Sequence, residues 1–112
     1  MQLYGMKLEA GETIEINGKK YTKLTSNFLR PDNQKFYFYY DQQNETFTDR
    51  CLTCLQVTNA HAGSAVVDWV AARYHCQRWE VCELRSDDPA ALIQAMLAVY
   101  AWCEMKEWLN ND

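Results

Sequence analysis

Glu12-Thr13-Ile14-Glu15-Ile16-Asn17-Gly18-Lys19-Lys20-Tyr21-Thr22-Lys23-Leu24 decides how the first half of this chain reads. Residues 12–16 alternate, and residues 19–24 resume after the Asn-Gly pair. Asn and Gly both tolerate the positive φ of a type I′ turn, so this pair between two alternating runs is the strongest short-range hairpin signal. Working outward, Leu3 to Leu8 adds an earlier strand, and Asn27 to Gln34 turns at Pro31-Asp32-Asn33. A second hairpin follows. Lys35-Phe36-Tyr37-Phe38-Tyr39-Tyr40 is strongly β-prone, Gln42-Gln43-Asn44 turns, and Glu45 to Thr48 returns. Alternation then puts Phe36, Phe38 and Tyr40 on one face and Tyr37 and Tyr39 on the other. Arg50 to Thr58 is expected to continue as a strand, with Cys51, Thr53, Leu55 and Val57 on one side.

The second half changes character. Asn59 to Ser64 is a small-residue loop ending in a residue suited to cap a helix. Ala65 to His75 reads as that helix, with Val66, Val67, Val70 and Tyr74 on one side and Asp68 and Arg73 on another. Trp79 to Leu84 alternates imperfectly and is read as a strand in preference to a helix running on to Arg85. Ser86-Asp87-Asp88-Pro89 then combines a capping residue, acids for the first turn and a proline where no hydrogen bond is lost. Residues 89 to about 109 hold no breaker, and Leu92, Ile93, Met96, Leu97, Val99, Tyr100 and Cys103 nearly encircle the helix. The fold class is therefore α+β. An N-terminal antiparallel sheet of hairpins packs against two C-terminal helices, with a strand between them, as one domain over residues 1–112.

Composition suits a globular domain. The chain is 48% hydrophobic and 23% charged, and at 112 residues it can bury a single core without staples. No basic start, apolar stretch and small-residue cleavage site open the chain, and the longest apolar run, Pro89 to Cys103, is too short to span a bilayer. Five cysteines, an odd number in no regular framework, argue against a secreted disulfide scaffold. The expected address is cytoplasmic, away from membranes. The net charge of −4 lies wholly in residues 57–112.

Cys51-Leu52-Thr53-Cys54 has the spacing with which two thiols grip zinc from a tight turn. Cys76 and Cys82 would complete the set, with His75 or His61 as substitutes. The distant pair lacks the second tight turn of a closed site, and cysteines among leucines and valines act as small hydrophobes. The expectation is no cofactor, with zinc on Cys51, Cys54, Cys76 and Cys82 as the alternative. A redox pair would want a helix N-terminus in a β-α-β setting, which this segment lacks. No glycine-rich loop cradles phosphate, and capping accounts for Asp87 and Asp88. The chain is read as no enzyme.

Lysines ahead of the aromatic strand suggest stacking on single-stranded nucleic acid, but an acidic chain lacks the basic footprint that such binding uses. Protein recognition needs the fewest special residues. Tyr37, Tyr39, Trp102 and Trp108 are the aromatics in surplus of the core, and Tyr and Trp are favoured interface anchors. The expected partner is another protein, a basic one given the acidic second half, with a homodimer as the alternative. The function expected is that of a non-catalytic protein-interaction domain, an inhibitor, immunity-like protein or adaptor.

Overall fold

The computed structural model describes residues 2–3, 6–30, 33–53, 57, 65–79 and 83–110. In chain order the elements are β1 (Gln2–Leu3), β2 (Met6–Ile16), β3 (Lys19–Leu29), β4 (Lys35–Asp41), β5 (Thr46–Thr48), α1 (Ala65–Arg73), β6 (Gln77–Trp79), β7 (Glu83–Ser86) and α2 (Pro89–Asn110). The strands form one antiparallel sheet in the order β1-β2-β3-β4-β5-β7-β6. The first five pair with their sequence neighbours, and β7 then pairs with β5 across everything in between. This is the α+β arrangement the sequence implies.

Turn chemistry sets the registers. Asn17 (φ 52°) and Gly18 (φ 80°) make the left-handed pair of the first hairpin, and Ile16 faces Lys19 across it. At the second hairpin the Asp41 carboxylate accepts the backbone N–H groups of Gln43 and Asn44, and Glu45 turns left-handed (φ 52°) before β5. Both long strands of the first hairpin run further than alternation alone indicates, carried past irregularities near Ala10–Thr13 and Thr25–Leu29.

One face of the sheet meets the helices. Phe36 and Phe38 lie fully buried there with Leu84, Val67, Val70, Leu92, Met96, Val99 and Cys103. The Tyr100 ring stands edge-on to Phe36 at 4.8 Å between centroids, which ties α2 to the middle of the sheet. α2 begins where Asp88 accepts the Ala90 backbone N–H at 2.9 Å and Pro89 occupies the first helical position. Asp88 is therefore the cap, while Ser86 accepts from Asp88 one step earlier. α1 stops two residues short of expectation. His75 takes a left-handed φ of 59°, and the Cys76 N–H reaches back to the Ala71 carbonyl, the closing bond of a Schellman turn.

The segment after β5 departs from the expected strand. Arg50 and Cys51 are both left-handed (φ 49° and 70°), and Leu52 and Thr53 are helical, as is Val57; Cys54–Gln56 and Thr58 lie outside the described residues. Asp49 is the physical reason. Its carboxylate accepts the Cys51 and Thr53 backbone N–H groups, and its carbonyl accepts that of Leu52, so the chain winds around one side chain instead of extending. The expected cap Ser64 also lies outside the described residues.

Candidate functional site

Two surfaces stand out, one on each side of the sheet. The first lies between the helices. Along α1, Val67 and Val70 enter the core while Trp69 turns outward, 64% exposed. On α2, Ala98, Ala101, Trp102 and Met105 follow one another at helical spacing on the flank toward α1. Small alanines on one helix opposite valines on the other leave an apolar groove of about 610 Å³, walled by Trp69 and Trp102. Trp102 (39% exposed), Met105, Trp108 (67%) and Leu109 extend this surface to the end of α2. Monomeric proteins rarely leave so much contiguous large apolar side chain in water.

The second surface follows from strand register. Paired residues of an antiparallel ladder share a face. Tyr21 pairs with Asp41 and Asp41 with Thr46; Thr48 pairs with Arg85, and Trp79 with Glu83. All of these point away from the helices, with Tyr37 and Tyr39, because Phe38 and Leu84 on the alternate positions fill the core.

Arg85 is the hub there, 2% exposed. Its Nη1 donates to Asp41 at 2.6 Å and to Thr46 at 2.9 Å, while Nε and Nη2 donate to the two oxygens of Glu83 at 3.1 and 3.2 Å. Trp79 covers the guanidinium at 4.0 Å, and Thr48 donates to Glu83. Burial works against the charge on Arg85, yet the hydrogen bonds to Asp41 and Glu83 prevail and raise its pKa. Burial likewise pushes Asp41 up, but hydrogen bonds from Asn44 and Arg85 outweigh it and bring its pKa down to about 2. Asp49 goes the other way. Burial raises its pKa despite the hydrogen bonds from Thr53, Leu84 and Cys51.

In front of this cluster the end of the first hairpin, Arg50 and Trp79 enclose a polar cleft of about 330 Å³. Arg50 rests over the Tyr21 ring at 4.7 Å, and its Nη1 lies 3.6 Å from Glu83. Comparison with protein-family models, with curated proteins and with solved structures finds no match. The geometry therefore carries the functional argument.

The aromatics singled out from sequence divide between the two sides. Trp102 and Trp108 belong to the helical surface. Tyr37 and Tyr39 are half-buried on the open face of the sheet, their rings edge-on at 6.1 Å, with the Lys23 ammonium 4.3 Å from the Tyr37 centroid. Burial, with Tyr37 nearby, raises the pKa of Tyr39. These four residues cannot form one contact patch. Trp69 and Met105 were missed, although a Trp beside Asp68 on the polar side of α1 was a legible signal.

The cysteines give no assembled metal centre among the described residues, where no group of three potential ligands comes together. Cys54, Cys82 and His61 lie outside them. Cys76 is half-buried, with the Tyr74 and Ala91 carbonyls within 3.7 and 3.6 Å of its sulfur, and burial, with Asp49 and Asp88 nearby, pushes its thiol to about 11. Among the described residues no helix is long and apolar enough to cross a membrane.

Proposed function

We propose that this protein is a non-catalytic interaction domain that holds an amphipathic helix of another protein in the groove between α1 and α2, and by doing so inhibits, neutralises or adapts that protein. The row of exposed Trp69, Trp102, Met105 and Trp108 along an alanine-floored groove carries this reading. Helix-in-groove recognition uses such a surface, apolar along its length and anchored by large rings.

Charge favours a partner with basic flanks. The helical layer and the turn before it expose Asp68, Asp87, Asp88, Glu104 and Glu107. Arg78 pairs with Asp68 at 2.6 Å, and Arg73 and the half-buried Lys106 are the other cations there, which leaves an acidic excess. A second copy of the chain would bring two acidic rims together, which disfavours self-association.

A synthetic amphipathic helix with leucines at i, i+3, i+4 and i+7 and lysines on its flanks is a sufficient probe. It is expected to bind saturably with a blue shift of tryptophan emission, and the same peptide with glutamate flanks is expected to bind at least about tenfold more weakly. Trp69→Ala and Trp102→Ala should each weaken the basic peptide by about tenfold or more. Equal binding of all variants would remove the groove as the docking face. A dimer in light scattering that Trp69→Ala dissolves would replace the foreign helix with a second copy.

A further inference from the structure

We infer that the cleft on the open face of the sheet is a binding site for a small oxyanion, a ligand ending in a single phosphate or carboxylate. It is separate from the helical groove and goes beyond the interaction role.

Unassigned donors in a concave place carry the inference. The Arg50 guanidinium stacks on Tyr21 and approaches Glu83 at 3.6 Å, a contact too long for a hydrogen bond. Among the described residues no hydrogen bond claims any of its five N–H donors. Its backbone N–H is fixed to Thr48 Oγ1 at 3.0 Å, so the side chain leaves from an anchored position. Behind it, the buried Arg85 directs four bonds to Asp41, Thr46 and Glu83, which leaves one of its five donors unassigned. Lys19 adds an exposed ammonium on the hairpin side.

Charge arithmetic sets the ligand. Lys19, Arg50 and Arg85 give three positive charges, and Glu83 with Asp41 behind it gives two negative, so the described residues leave one positive charge. This excess sits in a chain whose net charge is −4. Arg85 is neutralised by the acids that hold it, so Arg50 and Lys19 are the groups an incoming anion meets. A planar guanidinium fork matches two oxygens of a carboxylate or phosphate. A volume of about 330 Å³ lies at the small end of ligand sites, which limits the occupant to a small molecule.

Titration of the full chain with sodium phosphate and, separately, sodium acetate at matched ionic strength tests the site. Saturable binding to phosphate alone makes the ligand a phosphoryl compound, and to acetate alone a carboxylate. No saturable binding of either at millimolar concentration overturns the proposal. In the unmodified protein, nitrogen–proton correlation spectra should show the Trp79 indole signal moving with the anion while those of Trp69, Trp102 and Trp108 stay fixed. The reverse pattern would overturn it. Arg50→Gln is expected to weaken binding about tenfold and Lys19→Gln about threefold. Unchanged affinity in both variants would place the anion elsewhere.

Discussion

The two sides of the sheet solve opposite problems. On the helical side the apolar groove is left open, and among the described residues nothing covers its large rings. On the open side of the sheet, which no helix covers among the described residues, Asp41, Thr48, Glu83 and Arg85 are buried and joined to one another. Ions are buried where they hold the architecture in register, and apolar groups are exposed where the proposed partner would cover them. Exposure and polarity alone would assign these two regions the wrong way round.

The sharpest way to break this contrast is to remove Arg85. Arg85→Met should destabilise the protein by about 3–5 kcal/mol in urea denaturation, because Asp41 would remain buried without a cation and Glu83 would keep only the more distant Arg50. A loss under about 1 kcal/mol would mean that water already serves these acids and that the cluster is peripheral.

Acid should act on the same cluster more gently. Asp41 is held at about 2 when folded, below its ordinary value, so its ionised form contributes stability present above pH ~4 and lost as pH falls toward 2, on the order of 2 kcal/mol. Asp49, raised by burial, has the opposite sign and offsets part of that loss as it takes up its proton. Unfolding measured from pH 7 to 2 should therefore show a shallower acid slope for Asp41→Asn than for the unmodified chain. An identical slope would point to a different carboxylate.

Tyr37→Ala should cost about 1 kcal/mol, the size of an edge-on aromatic contact with Tyr39. Thermal unfolding reads this directly, and peptide binding at the helical groove should not change. Trp108→Ser, at the far side of the molecule, is expected to leave stability within about 0.5 kcal/mol while weakening the basic peptide. If Trp108→Ser destabilised more than Tyr37→Ala, the rings at the end of α2 would be structural and the contrast would collapse.

Periodicity made the fold legible because hairpin chemistry and helix caps are local. Asn17-Gly18 and Asp88-Pro89 each encode their element within a few residues. The segment after β5 was not legible, since the strand pattern of Cys51, Thr53, Leu55 and Val57 gives way to the two carboxylate oxygens of Asp49, whose grip a periodicity does not see. The ionic cluster was hidden for a related reason. Glu83-Leu84-Arg85 alternates as a strand with a wet face would, and only the long-range pairing of β7 with β5, Phe47 with Ser86 and Thr48 with Arg85, buries that face. Trp102 and Trp108 were visible as surplus aromatics, whereas their companion Trp69 became significant only once α1 lay beside Ala98 and Ala101.

That long-range pairing gives the chain an order of assembly. During synthesis the strands through β5 emerge first and close by neighbouring hairpins, which form quickly because little loop entropy is lost. Until β7 arrives, β5 is an unprotected edge, and Asp41 has no guanidinium to answer its charge. Arg85 therefore completes a sheet already begun, and a nascent chain halted before it would carry both a sticky edge and an orphaned acid.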